Sequence, residues 1–368
     1  MKLKLVVLLL VGLLFLLPKH GYGAVAKELR FSSQALAEPY VFSVLLPNDY
    51  DGARKTPYPL LVTTAGDSRI AMLEAQIDWL SHVSFGPMPQ VVILRLPAFA
   101  KANSSAMQTG LTAQLFHQQL LPFLQGALNL APFTLIEGFS TQGNLAFELF
   151  SQYPTHYQAA IISSPALELQ SAQWHQQLKQ QLQAHLAQRS LFLSLGTFAG
   201  NRPYFTSLQG ALSEYKTVFF NDLSGENYIS NPVIHFEQAV KQLFSAIHIT
   251  DFQPFARQGI AAVLAYQQGL KRQYGFELPP FENLEGLANY YFDHQQPKEG
   301  VAVFDYLVTQ YPEKLLYLIR YAQALINIGD IVQAKTKLEQ VIALAKQQFD
   351  DEALQYSQNL LMELSQPN

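Results

Sequence analysis

Between residues 29 and 250, short runs of Val, Ile, Leu and Phe alternate with longer stretches in which apolar residues recur every three or four positions. Runs of the first kind signal strands buried on both faces, and stretches of the second kind signal amphipathic helices. Residues 29–42 read as a strand pair around a polar break, leading into the turn-rich Leu46-Pro47-Asn48-Asp49-Tyr50-Asp51. Further strands are predicted at 59–64, 90–96, 133–136, 159–163, 191–195 and 217–222. Helices are predicted at 71–83, 109–128, 171–188, 203–215 and 231–247, the last opening on Asn231-Pro232 as cap and first-turn proline. This alternation predicts an α/β fold, a mostly parallel sheet with helices on both faces and ligands at the carboxyl ends of its strands.

One stretch organises the rest. The apolar run Phe133 to Ile136 stops at Gly138, Ser140 follows two residues later, and Leu145, Ala146, Leu149 and Phe150 then recur at helical spacing. Strand, sharp turn and helix is the context in which a Gly-x-Ser becomes a nucleophile elbow, with the hydroxyl projected off the sheet edge. The helix behind it turns unpaired N–H groups toward any oxyanion formed there.

After about Asp251 the pattern is helical throughout, including a predicted helix at 255–272. Ala288, Gly300 and Phe304 recur 34 residues later as Ala322, Ala334 and Leu338, with Pro312 between the two segments. Small residues at such positions let the helices of a hairpin touch, and large ones fill the space between hairpins. Residues 283–347 resemble tetratricopeptide repeats, which implies a surface for a protein partner.

Composition narrows the function classes. The 368 residues are 49% hydrophobic and 14% charged, with a net charge of −4 and no basic run, so no footprint for nucleic acid is expected. Cysteine is absent, which excludes disulfides, thiolate metal sites and cysteine nucleophiles. There is no His-x-x-x-His pair, no carboxylate cluster at ligand spacing and no glycine-rich phosphate loop, so neither metal nor cofactor is expected.

Lys2 and Lys4 precede an apolar run from Leu5 to Leu17, then Pro18 and the small-x-small site Ala24-Val25-Ala26. This predicts a signal peptide over residues 1–26 and an exported mature chain without a stable membrane anchor; an uncleaved amino-terminal anchor is the alternative. The expected organisation is therefore a leader (1–26), an α/β domain (27–250) and a helical domain (251–368).

Val44-Leu45-Leu46-Pro47 with Tyr50, the strand Pro59-Leu60-Leu61-Val62 ending near Gly66, Gly138-Phe139-Ser140, and Ala160-Ile161-Ile162-Ser163-Ser164-Pro165 together resemble the putative-esterase family. These are α/β-hydrolases of the enterochelin esterase and esterase D type. The resemblance implies a serine nucleophile, an acid and a histidine in that chain order, acting on carboxylic or thioesters without a metal. It also implies an oxyanion hole from the backbone of Thr141 and of Gly66 or Asp67.

The sequence departs from that pattern at three positions. Gln142 stands where the family has a second glycine, with Gly143 one residue later. The acid slot after the 191–195 strand holds Ala199, and no Asp or Glu occurs between Leu191 and Gly210. The histidine slot, in the loop Gly225-Glu226-Asn227-Tyr228, holds Tyr228. A serine hydroxyl is a poor nucleophile until a base takes its proton, and such a base contributes about 10²- to 10⁴-fold in rate. Tyrosine, with a reference pKa of about 10, is no base near neutrality.

The other histidines offer weaker substitutes. His235 falls on the flank of the last helix of the α/β domain, His156 follows the elbow helix, His175 and His185 read as a polar helix face, and His82 and His117 precede the elbow. Glu226 and Asp222 read as solvated loop carboxylates. Gly66-Asp67-Ser68 resembles the opening block of the Gly-Asp-Ser-Leu lipases, but none of the nine histidines has Asp three residues before it. The expectation is an esterase relative without a working triad that binds a small ester or acyl ligand. The alternative is an active serine ester hydrolase using Ser140 with a non-standard base.

Overall fold

The computed structural model describes residues 25–48, 50–54, 56–96 and 111–366. The predicted leader lies outside these except for Val25 and Ala26, which begin the first strand and pair with Leu46 and Leu45. No helix among the described residues is long and apolar enough to cross a membrane. The described chain divides into two compact units, one of residues 25–247 with 269–278, the other of residues 248–268 with 279–366.

The first unit is an α/β-hydrolase fold built on one eight-stranded sheet in the order β1-β2-β4-β3-β5-β6-β7-β8. Its strands are β1 (Val25–Phe31), β2 (Tyr40–Leu46), β3 (Tyr58–Thr63), β4 (Val92–Arg95), β5 (Leu130–Phe139), β6 (Ala159–Ser163), β7 (Ser190–Leu195) and β8 (Val218–Asp222). β1 and β2 are antiparallel, as is the β2–β4 pair, and all later pairings are parallel. All six residues of β3 and all five of β6 are buried, which is why both read as continuous apolar runs.

Helices cover the sheet in the predicted alternation. They are α1 (Asp67–Ser81), α2 (113–127, with a π-helical middle at Phe116–Leu120), α3 (Ser140–Gln152), α4 (Ala172–His185), α5 (Arg202–Leu212) and α6 (Asn231–Leu243). One expectation fails at α6: the cap is Ser230, and Asn231 lies inside the helix, fully buried. Its amide accepts from Ser194 Oγ at 2.9 Å and donates to the Leu195 carbonyl at 3.4 Å, so it ties α6 to β7. Tertiary partners take the amide that local preference assigns to a cap.

In the second unit the helix expected at 255–272 is two, α7 (Gln253–Ala256) and α8 (Ile260–Tyr274), separated by Gly259 at φ +64°. From Gly269 onward α8 belongs to the first unit. There Tyr274 and Phe276 pack on Phe133 with Phe244, and the Tyr274 hydroxyl donates to the Leu243 carbonyl at 2.9 Å. α9 (Phe281–Asp293), α10 (Pro297–Gln310), α11 (Leu315–Asn327), α12 (Ile331–Gln348) and α13 (Asp351–Glu363) complete the chain. α9 and α11 begin 34 residues apart (281, 315), as do α10 and α12 (297, 331). Ala288, Ala322, Gly300, Ala334, Phe304 and Leu338 are all buried, as their spacing predicts.

Candidate active site

β5 runs in extended geometry to Phe139, and the chain reverses at Ser140, whose φ is +57°. A non-glycine residue in the left-handed region costs on the order of 1–3 kcal/mol and persists only where surroundings enforce it. Here the enforcement is visible. A Cβ on Gly138 would stand 2.6 Å from Thr64 Oγ1 and 2.8 Å from both Ala146 Cβ and the Gln142 carbonyl oxygen, so only glycine fits. Thr64 clamps the corner from β3, its N–H donating to the Glu137 carbonyl at 3.1 Å and its hydroxyl to the Gln142 carbonyl at 3.0 Å. Gly143 does the work of the displaced second glycine: a Cβ there would lie 3.3 Å from the Gly138 carbonyl oxygen and 3.5 Å from Pro165 Cα.

The other predicted site residues are placed as follows. Thr141 and Gln142 are exposed in the first turn of α3. Gly66 precedes α1 and Asp67 opens it, at the carboxyl end of the strand beside β5; the Asp67 carboxylate is exposed and paired with Arg95. Ala199 is exposed in a 3₁₀ turn, Ala199–Asn201, just beyond β7. Tyr228 is half-buried, its ring 4.7 Å from that of Phe139 and 5.1 Å from that of Phe198, centroid to centroid. The side chain in the histidine slot is thus part of an aromatic wall beside the elbow. Phe198, Leu169 and Ile229 add exposed apolar surface from the turns after β7, β6 and β8.

Among the described residues, no side chain hydrogen-bonds the Ser140 hydroxyl, and the imidazoles with bonds make them elsewhere. His235 is completely buried; its Nδ1 is 2.9 Å from Ser163 Oγ and its Nε2 has no partner. Burial pulls its pKa down to about 3. His175, expected on a polar helix face, is instead buried, stacked on Tyr204 at 4.4 Å with Nε2 2.9 Å from the Leu167 carbonyl. His117 is buried against the Tyr157 hydroxyl at 2.7 Å, and burial lowers its pKa to about 4. Asp222 is held down to about 2, chiefly by its hydrogen bond from Arg202 and then by Ser224.

Three features escaped the sequence reading. Glu137, buried one residue before Gly138, accepts from Arg69 Nη2 at 2.7 and 3.0 Å and from the Thr63 hydroxyl, an ion pair bridging α1 and β5. Ser164, just after β6, takes φ +40°, and its buried hydroxyl has no partner. Glu168 lies in a 3₁₀ turn, Leu167–Leu169, with one carboxylate oxygen buried and unpartnered. A carboxylate five residues past a predicted strand end was the only signal for Glu168, and it lay after β6 rather than β7.

A strained serine between a parallel strand and a helix, at the carboxyl edge of a sheet wrapped on both faces, defines the class: an α/β-hydrolase fold. The comparisons agree, since residues 33–197 match the model of the family described as putative esterase. A crystal structure of an IroE-like serine hydrolase from Shewanella oneidensis is similar at 16% identity and TM-score 0.59, covering 76% of this chain and 98% of that one. An uncharacterised protein from Capnocytophaga ochracea is similar at 15% identity and TM-score 0.55, covering 92% of this chain and 99% of its own. At these identities the likeness is one of fold. No curated protein matches the sequence.

Proposed function

We propose that this chain is an exported, esterase-fold binding protein whose Ser140 site holds a small ester or acyl ligand without turning it over. The observation that carries this reading is the surroundings of Ser140: among the described residues no imidazole or carboxylate hydrogen-bonds its hydroxyl, and Tyr228, at the position where the resemblance expects histidine, packs between Phe139 and Phe198. Without proton transfer the elbow retains binding and, from the backbone of Thr141 and of Gly66 or Asp67, oxyanion donors. The test is exposure to a fluorophosphonate together with turnover of p-nitrophenyl acetate. Ser140 is expected to stay unmodified, and Ser140→Ala to leave any residual rate unchanged; a rate abolished by Ser140→Ala overturns the reading.

A second reading has one observation in its favour. The left-handed backbone at Ser140 and the crowding at Gly138 are costly features of a working elbow. An active serine ester hydrolase with an unconventional base would explain their retention, and the same labelling experiment decides between the two.

The second unit supplies the partner side of the proposal. Its helix pairs with a 34-residue offset support a tetratricopeptide-like array that engages a protein. Export is tested by the amino terminus of the mature chain, expected near Lys27. A start at Val25 would leave β1 whole, since Val25 and Ala26 both pair with β2.

A further inference from the structure

The acid slot after β7 is empty of carboxylates, yet a carboxylate abuts it. Glu168 reaches across from the turn after β6: a Cβ built on Gly200 would meet its Cγ at 3.5 Å and its Cβ at 3.6 Å. Its backbone N–H donates to Asn201 Oδ1 at 3.0 Å, and Asn201 is itself buried, so the turns Leu167–Leu169 and Ala199–Asn201 are locked side by side.

The same segment is tied to the elbow. The Ala166 N–H donates to the Ser140 carbonyl at 3.3 Å, and Asn144, on the elbow helix, donates to the Ala166 carbonyl at 2.8 Å. Phe198, on the other flank of the second turn, carries the contact to Tyr228. One oxygen of Glu168 is buried without a donor, an arrangement that costs free energy until a donor arrives.

We propose that Glu168 is the positioning carboxylate of the Ser140 site, supplied from the turn after β6 in place of the acid missing at Ala199. This rests on the reading of that site as a ligand pocket, but not on whether it catalyses. Its role is to accept a hydrogen bond from a donor held at the strand edge near residue 228. It therefore favours an acyl ligand carrying a hydroxyl or amine beside its apolar part, and it would orient an imidazole placed there. Glu226 and Asp222 are poorer candidates, the first exposed and the second engaged with Arg202 and Ser224.

The experiment installs the reporter. In Tyr228→His, the introduced imidazole is titrated by NMR with Glu168 intact and again with Glu168→Gln, which preserves shape and removes charge. A nearby carboxylate favours the imidazolium, so the pKa is expected to fall by about one unit or more in the Glu168→Gln background, while Glu226→Gln leaves it in place. Equal values with and without Glu168 overturn the proposal. Should Tyr228→His not fold, Phe198→His, at a half-exposed ring, gives the same comparison from the adjoining turn. Fluorophosphonate labelling of Ser140 is the companion measurement, expected to accelerate in Tyr228→His and to slow at least tenfold on adding Glu168→Gln. Ester turnover by the unmodified chain would overturn the binding reading without altering the imidazole titration, so the two failures are separable.

Discussion

The ring of Tyr228 lies 4.7 Å from that of Phe139, the residue immediately before the strained Ser140. The loop after β8 therefore reaches the elbow and delivers an aromatic ring that packs against the residue before Ser140. Aromatic pairs of this kind contribute about 0.5–1.5 kcal/mol each. With two such pairs, Tyr228→Ala is expected to lower unfolding stability by about 1–3 kcal/mol in urea titrations. A loss under half a kilocalorie, about the scatter of a surface substitution, would mean that the wall is not a structural unit.

Gly138 is a sharper test of the corner. A single added methyl collides with the Thr64 side chain, Ala146 and backbone at Gln142, none of which is the far end of a flexible chain. Overpacking typically costs about 1–3 kcal/mol. Gly138→Ala is expected to reach the upper part of that range in chemical denaturation. Gly66→Ala, where a Cβ meets nothing within 4 Å, should stay close to the parent.

The Arg69–Glu137 pair predicts a non-additive cycle. Both side chains are largely buried, at 14% and 2% exposure, and Arg69 is the partner that neutralises a carboxylate inside the sheet. Removing one member of a buried pair costs about 3–5 kcal/mol, whereas replacing both by apolar residues is often neutral. Arg69→Met should therefore be severely destabilised, and Arg69→Met with Glu137→Leu should recover most of the loss. Equal stability of the single and double variants would show that the charge of Glu137 is met in another way.

The buried histidines give stability a pH dependence whose sign follows from burial. His235 and His117 titrate near 3 and 4 in the fold but near 6.5 when unfolded, so below pH 6.5 the unfolded chain binds more protons. Stability is complete above pH 6.5 and falls with acidification until each folded pKa is passed, by up to about 1.4 kcal/mol per pH unit per histidine. Urea midpoints between pH 7 and 4 should show this slope, and His117→Phe should make it shallower. A midpoint that does not move over that range would contradict the buried, neutral state of both rings.

Much of this molecule is written in local pattern. Strands buried on both faces must be apolar throughout, so β3, β6 and β7 announce themselves, and the change of period at Ser140 marks the elbow because backbone geometry there allows few alternatives. The 34-residue offset between the helix pairs of the second unit was visible for the same reason: touching helices need small residues at fixed intervals. Even there, Gly300 and its counterpart Ala334 differ because the Phe292 ring would lie 2.8 Å from a Cβ at position 300.

Tertiary structure decided what depends on approach between distant segments. Asn231 left its cap role for β7, His175 turned inward onto Tyr204, and His235 was bound to Ser163 rather than Ser140. Glu168 came to rest against the turn that lacks an acid, through contacts between residues more than thirty positions apart. Periodicity records which face of an element is buried, since burial acts on every turn or alternate residue. It carries no record of which side chains from different elements converge on one point, and the chemistry of this site lies in that convergence.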